Sequence, residues 1–100
     1  MATNTGTAVG YSYNYITAAA PTTTTVKTGA GILHALIFNK PTATAVITVY
    51  DNTSAAAPVV GTITVPASPL PVTLVYDIAF STGLTIKTET AASDITVAYI

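Results

Sequence analysis

The sequence predicts an all-β protein, an antiparallel two-sheet β-sandwich of about eight strands that is jelly-roll or immunoglobulin-like, with a closed barrel as the alternative. Three observations support this fold class. Apolar and polar residues alternate with a period of two, turn-forming residues separate these runs at intervals of about 8–12 residues, and no segment has the apolar spacing of a helix. The 100 residues are rich in Thr, Ala, Val and Ile, and we expect residues 1–100 to form a single domain.

The first half of the chain contains four predicted strands, over residues 8–17, 23–28, 32–39 and 44–52. The first strand places Tyr11, Tyr13 and Tyr15 on one face, and residues 1–16 are a candidate N-terminal arm or edge strand. The third strand is apolar on both faces except at His34, which is typical of a central strand covered on both sides. In the fourth strand, apolar residues alternate with Thr and Tyr.

The second half contains four more predicted strands, over residues 59–66, 72–80, 84–90 and 95–100. The fifth strand places Val59, Ile63 and Val65 on one face, and Gly61 between them is a candidate for a bulge or a close approach of another segment. Prolines make the connection over residues 66–71 rigid. The sixth strand has the most regular alternation in the chain, and the last two have apolar residues at every second position.

The composition excludes several classes of function. Charged residues make up only 7% of the chain, whereas an ordinary soluble domain has about 25%. The net charge is −1 and the three basic residues are all Lys, so we expect no binding to nucleic acid. Without Cys there are no disulfides or thiolate metal sites. The first residues lack the basic and apolar regions of a signal peptide, and no apolar run is long enough to span a membrane.

No group of residues predicts catalysis, a cofactor or a metal site. His34 is the only His, and within an apolar run it is interpreted as a buried or interface residue with a hydrogen-bonded ring. The four carboxylates lack the dense spacing of a calcium loop. Asp51 and Asp94 follow or precede strands, where Asp commonly accepts a hydrogen bond from a backbone N–H two residues on. We therefore predict that the protein is not an enzyme.

The three tyrosines near the N-terminus are the candidate site residues. An aromatic stripe on a strand is most often core packing or a set of cross-strand pairs. A partner surface is the second interpretation, because Tyr combines a large contact area with a polar tip. A sugar-stacking face is the third. We take Tyr11, Tyr13 and Tyr15 as the candidate partner interface.

The scarcity of charge predicts that much of the surface is covered by other protein. A soluble monomer normally carries a mixed-charge surface, and exposed edge strands are usually protected by Lys or other charges. This chain has few of either. We therefore expect a homo-oligomer or a larger assembly, with a trimer as the first expectation.

Two segments resemble small virion proteins of tailed bacteriophages. In residues 31–54, "GILHALIFNKPTATAVITVYDNTS", an apolar strand ending in Asn is followed by a short turn and a strand ending "YDNTS". In residues 77–100, the "FSTGLTI" and "SDITV" runs are also similar to those chains. The resemblance implies a β-sandwich that decorates or reinforces capsids, or that sits in tails and fibres, and it brings no catalytic residue.

The resulting functional expectation is a capsid decoration protein that stabilises the shell by adhesion across junctions between capsid subunits. Its partners would be further copies of itself and the major capsid protein or other virion proteins. It would be made in the cytoplasm of the host bacterium and reside in the virion. The alternatives are a tail or fibre component and a carbohydrate-binding, adhesin-like module.

Overall fold

The computed structural model describes residues 10–17 and 19–100. Eight strands run in chain order as β1 (Ser12–Ile16), β2 (Thr22–Thr28), β3 (Gly31–Lys40), β4 (Val46–Tyr50), β5 (Val59–Thr64), β6 (Val72–Phe80), β7 (Gly83–Glu89) and β8 (Asp94–Tyr99). Sheet A has the strand order β1-β8-β3-β6 and sheet B the order β2-β7-β4-β5. Both sheets end in edge strands, so the predicted sandwich is confirmed and the barrel alternative is wrong. None of the described residues forms a helix able to cross a membrane.

The strand pairing identifies which sandwich this is. β1 pairs with β8, β2 with β7, β3 with β6 and β4 with β5, always antiparallel. The first half of the chain is therefore paired with the second half throughout, like a long ribbon folded over on itself. An eight-stranded arrangement of this kind is a jelly roll. The immunoglobulin order differs, because there the first two strands are neighbours in one sheet.

The core lies between the two central strands of each sheet. Its inward side chains are at most 2% exposed, and they come from β3 (Leu33, Leu36, Phe38), β4 (Ile47, Val49), β7 (Leu84, Ile86) and β8 (Ile95, Val97). The period-two pattern predicted the inward positions of β4, β7 and β8, because successive strand residues point to opposite faces. The inward positions of β3 do not follow a period of two, since the pairing shifts between Leu33 and Ala35. β3 is central as predicted, but its outer face is not covered, because Ile32 is 40% exposed. The edge strands contribute less to the core, so the burial decreases towards both sides of each sheet.

A β-bulge changes the predicted face of β5. Val49 pairs with Gly61 but Tyr50 pairs with Val59, so Val60 is an extra residue on β5. Beyond a bulge the side-chain parity shifts, and as a result Val59 is 53% exposed while Val60 packs against the core. The prediction that Val59 shares one face with Ile63 and Val65 is therefore wrong. Gly61 is a close-approach site, since a Cβ there would lie 2.9 Å from the Tyr76 hydroxyl oxygen.

β6 is the edge strand of sheet A on the same side of the sandwich as β5, and its inward side chains are less buried than the alternation predicted. Phe80 is buried and Leu74 packs partly against the core, but Val72 is 47% exposed and Ile78 is 40% exposed. These residues are inward by parity, yet β6 is the edge strand of sheet A. The sandwich is consequently open on its β5–β6 side, and inward apolar side chains reach solvent there.

Asp51 ties two turns together. Its carboxylate accepts hydrogen bonds from the backbone N–H groups of Ser81 (3.0 Å), Thr82 (2.8 Å) and Gly83 (3.4 Å). These bonds lower the pKa of Asp51, Thr82 contributing most, because they stabilise the ionised form. The expectation of a bond to the backbone two residues on is wrong for Asp51. Its partners lie in the turn between β6 and β7 and at the start of β7, the strand that neighbours β4 in sheet B.

Candidate functional site

The three tyrosines lie on the outer face of sheet A. Tyr13 and Tyr15 belong to β1, an edge strand, and Tyr11 immediately precedes it. Ile16 on the same strand is buried, whereas Tyr11, Tyr13 and Tyr15 are 42%, 41% and 57% exposed. Core packing is therefore not their role, and the structure places them together on solvent-accessible surface. Residues 1–9 of the candidate arm lie outside the described residues.

The tyrosines are one side of a wider apolar surface. Antiparallel partners share a face, so the register extends the tyrosines into rows across all four strands of sheet A. The two complete rows are Tyr13–Ala98–Ala35–Val75 and Tyr15–Thr96–Ile37–Thr73. A third row joins Ile100, Ile32 and Ala79. We call this surface the tyrosine face.

Six large hydrophobic residues of the described chain are exposed on this face, namely Tyr11, Tyr13, Tyr15, Ile32, Val75 and Ile100. Ala35, Ala79 and Ala98 share the face with them, as do the polar side chains of His34 and Asp77. Together the six hydrophobic residues present several hundred Å² of apolar surface, the size at which a patch on a soluble protein commonly has a function.

His34 and Asp77 form a polar pair within the tyrosine face. His34 lies at the register shift between β3 and its neighbours, and Asp77 lies at the matching irregularity of β6. The His34 Nδ1 atom is 2.5 Å from Asp77 Oδ1, so the imidazole donates this hydrogen bond to the carboxylate. The side chains are 31% and 58% exposed, respectively. The Tyr11 ring stacks on the His34 ring with centroids 4.0 Å apart and planes 3° apart.

The backbone of Asp77 has an uncommon conformation, with φ of 50°. This left-handed region is sparsely populated by residues other than Gly, although Asp and Asn enter it more readily than others. The bulge and this conformation together turn the Asp77 carboxylate toward His34. Such local irregularities commonly re-aim a side chain at a functional position.

A second polar cluster lies at the other end of the tyrosine stripe. The Tyr15 hydroxyl donates a hydrogen bond to Asp94, and Asn39 Nδ2 donates to Asp94 Oδ1 at 2.9 Å and to Thr96 Oγ1 at 3.0 Å. The bond from Tyr15, with smaller contributions from Asn39 and the nearby Lys40 charge, lowers the pKa of Asp94. The same bond raises the pKa of Tyr15. This cluster holds the Tyr15 ring against the sheet.

The polar groups of the face offer binding chemistry. Among the described residues, no Ser or Thr hydroxyl bonds the His34 imidazole, and no three carboxylate or His side chains lie close enough to hold a metal ion. What the face offers is aromatic and aliphatic contact area, with two carboxylates and an imidazole set into it.

The open β5–β6 side contains an apolar cleft of about 350 Å³. Ile63 and Val65 line it from sheet B, Val72 and Leu74 from sheet A, and Leu70 stands at its rim with 77% of its side chain exposed. Three prolines in the lining make its walls rigid. The lining has one side-chain hydroxyl, Ser68, and no charge.

Sequence reasoning found the tyrosines but missed their polar partners. Asp77 carried a signal, since it is a charged residue on the outward parity of an otherwise apolar strand. Its pairing with His34 depends on two irregularities of strand register, and nothing in the sequence marks these. His34 itself was expected to be buried or at an interface with a hydrogen-bonded ring, and it is half-buried with its ring bonded to Asp77.

No protein-family model matches this chain, and neither the curated proteins nor the solved structures gave a significant match.

Proposed function

We propose that this protein is a structural protein of a bacteriophage virion, which stabilises the capsid by adhering across junctions between capsid subunits. The observation that carries the proposal is the tyrosine face. It exposes three aromatic rings and three aliphatic side chains on one side of a rigid sandwich, and among them it has no Lys able to repel a partner. Lys40 lies at its margin, beside Asp94.

The composition of this surface supports adhesion to protein. The central parts of protein interfaces are enriched in aromatic residues and depleted in charged ones, particularly Lys and Glu. Stable interfaces bury about 800 Å² on each partner, so docking would bury the flanking Thr residues as well as the six exposed hydrophobic side chains. A jelly roll is also a fold of viral capsid proteins and lectins, which agrees with the proposal by analogy only.

The two outer faces of the molecule differ, which supports a one-sided attachment. The outward residues of sheet B include Thr23, Thr25, Thr48, Thr62 and the Lys87–Glu89 ion pair of 2.8 Å. Hydroxyls and a paired charge keep most of that face hydrated, and Val59 at its edge is the one exposed large hydrophobic residue there among the described residues. The tyrosine face would lie against the shell and the sheet B face would remain in solvent.

A matched pair of charge substitutions tests the attachment face. Val75 is exposed on the outer face of edge strand β6, and Thr62 is exposed on the outer face of edge strand β5. Val75→Lys should weaken binding to capsid shells of the encoding phage by about tenfold or more, as expected for a charge buried in an interface. Thr62→Lys should bind as the wild type does.

The tyrosines themselves are tested by replacing Tyr11, Tyr13 and Tyr15 together with Ser. Aromatic anchors contribute most of the energy of many interfaces, so we expect loss of shell binding with retention of the folded sandwich. Wild-type affinity in both the Val75→Lys and the triple-Ser proteins would refute attachment through this face.

A carbohydrate-binding module is the second candidate. The stacked Tyr11 and His34 rings beside the Asp77 carboxylate combine an aromatic surface with a planar hydrogen-bond acceptor, which is a combination that suits a sugar ring. Reproducible micromolar binding on a glycan array, lost in Tyr11→Ser, would favour this candidate over capsid adhesion.

A further inference from the structure

The Asp77 carboxylate is set among apolar side chains and is only partly satisfied. One of its oxygens accepts the bond from His34, and the other has no partner among the described residues. The side chain is 58% exposed. The exposed neighbours are Val75 on its own strand and Ile32 on β3, together with Tyr11, which stacks on the His34 ring.

If the tyrosine face docks, this carboxylate leaves water. An ionised carboxylate buried without an opposite charge or sufficient hydrogen bonds is strongly unfavourable. The partner must therefore supply a donor at this point, and a cation is the donor that recovers most of the cost.

The chain itself cannot supply an arginine. Its three basic residues are Lys27, Lys40 and Lys87, so no guanidinium is present in any copy. Of these, the Lys40 charge lies near Asp94 and lowers its pKa, and Lys87 forms an ion pair with Glu89 on the outer face of sheet B. An arginine at this site must therefore come from a different protein.

The flat rings beside the carboxylate favour a guanidinium over an ammonium. Tyr11 and His34 are parallel within 3°, and a planar guanidinium stacks on aromatic rings while its N–H groups reach a carboxylate. A Lys ammonium is a compact and strongly hydrated charge that gains less from such a surface.

Resting on the proposed attachment through the tyrosine face, we infer that Asp77, Tyr11 and His34 form a receptor for an arginine side chain of the capsid protein. Asp77 accepts the hydrogen bonds of the guanidinium, the stacked rings provide its flat support, and His34 positions the carboxylate. Val75 and Ile32 contact the apolar surface that surrounds this arginine on the partner.

Two isosteric substitutions with the same charge change test the receptor. Asp77→Asn removes the charge and retains the shape, and Asn tolerates the positive φ at this position, so the fold should persist. Glu89→Gln is the control, because it removes one negative charge from the outer face of sheet B. Binding to capsid shells is measured for both proteins between low and high salt.

We expect Asp77→Asn to bind the shell about tenfold or more weakly at moderate salt and to show a shallower salt dependence, since one close charge pair is lost. Glu89→Gln should match the wild type. Free arginine added to the wild-type mixture should release the protein at a lower concentration than lysine or glucose does. The Asp77→Asn protein should lose this preference.

The outcomes separate the receptor from the attachment itself. If Asp77→Asn binds like the wild type while Val75→Lys does not bind, the tyrosine face docks and the arginine receptor is wrong. If neither substitution alters binding, attachment through this face is wrong. Stronger release by glucose than by arginine would assign the same residues to a sugar and overturn the receptor.

Discussion

Single carboxylates hold distant parts of this chain together through hydrogen bonds. Asp51 receives three backbone N–H bonds from the β6–β7 turn, thirty residues away in the chain. Asp94 accepts hydrogen bonds from Tyr15 and Asn39, and so connects β1 and β3 to β8. In both cases the pKa is lowered by groups that are brought together only on folding.

These bonds predict an acid-dependent loss of stability. An Asp whose pKa is lower in the folded than in the unfolded chain stabilises the fold fully above its unfolded pKa of about 3.9. That contribution declines as the pH falls below this value toward the folded pKa. The melting temperature should therefore be nearly constant from pH 7 to 5 and fall in more acidic buffer.

The variant Asp51→Asn should have a lower melting temperature at pH 7 and a weaker dependence on acidic pH than the wild type. An amide keeps the size of the side chain but turns part of it into a donor facing N–H donors. Thermal melts of both proteins across the acidic range provide the measurement. Parallel curves for the two proteins would show that Asp51 does not carry the effect.

Two neighbouring residues of β3 allow the stability contribution of the core to be compared with that of the tyrosine face. Leu36 points into the core and is 0% exposed, while Ile37 points to the tyrosine face. Leu36→Ala should lower the free energy of unfolding by about 2–5 kcal/mol, the range for a buried Leu. Ile37→Ala should lower it by less, since its side chain is only half-buried. Chemical denaturation of the two variants gives the comparison, and equal losses would contradict the assigned faces.

At the scale of the strands, irregular pairing determines where the side chains point. The alternation of β4 and β7 correctly predicted that Ile47, Val49, Leu84 and Ile86 are inward, because these strands are central and their patterns are uninterrupted. The faces of β5 could not be predicted past Val60, because one extra residue reverses the parity. Gly61 indicated a bulge or a close approach near this point, but not which residue would be the extra one. The His34–Asp77 pair depends on irregularities of the same kind.

The pairing of the strands could not be predicted from local sequence patterns either. The sequence indicated about eight strands, yet the partner of each strand lies far away in the chain, as in the pairing of β1 with β8. Turn residues and alternation report on neighbours only, so they could not separate a sandwich from a barrel or a jelly roll from an immunoglobulin order. The tyrosine face could be predicted only as a stripe on one strand, because the other three strands that complete it are brought there by long-range pairing.

Gly31 tests the junction between β3 and the end of β8. A Cβ at this position would lie 2.2 Å from the Ile100 carbonyl oxygen, and Ile32 and Ile100 exchange backbone hydrogen bonds immediately beside it. Gly31→Ala should lower the free energy of unfolding by about 1–3 kcal/mol, as expected for overpacking. The amide of Ile100 should also exchange faster with solvent.

A substitution at Ala30, which is exposed in the turn before β3, is the control for Gly31. Ala30→Val adds more atoms than Gly31→Ala but adds them toward solvent, so it should have little effect on unfolding. If Ala30→Val were as destabilising as Gly31→Ala, the close approach to Ile100 would not be the cause.

At the scale of the whole molecule, the exposed apolar surface of the described residues lies mainly in two places. Six large hydrophobic residues lie on the tyrosine face, and three more, Leu70, Val72 and Ile78, lie on the open β5–β6 side, whereas Val59 lies on the outer face of β5. If the tyrosine face is occupied by the shell, copies of the protein must associate through another surface. The β5–β6 side is the larger remaining apolar surface among the described residues, and its uncharged cleft favours contact between copies.

Leu70 is the residue whose replacement tests this self-association. It is 77% exposed at the rim of the cleft, and an added carboxylate there would be buried in any contact between copies at an unfavourable cost. We expect the wild type to be an oligomer by light scattering, with a trimer as the first expectation, and Leu70→Asp to shift toward the monomer mass. Ala67→Asp, which adds the same charge in the same exposed connection outside the cleft lining, should leave the mass unchanged.

Because the two surfaces lie on different sides of the sandwich, monomeric Leu70→Asp should still bind the shell through the tyrosine face, with lower avidity. A wild-type mass of one chain at every concentration would contradict the oligomer, and an oligomer unaffected by Leu70→Asp would move the contact elsewhere.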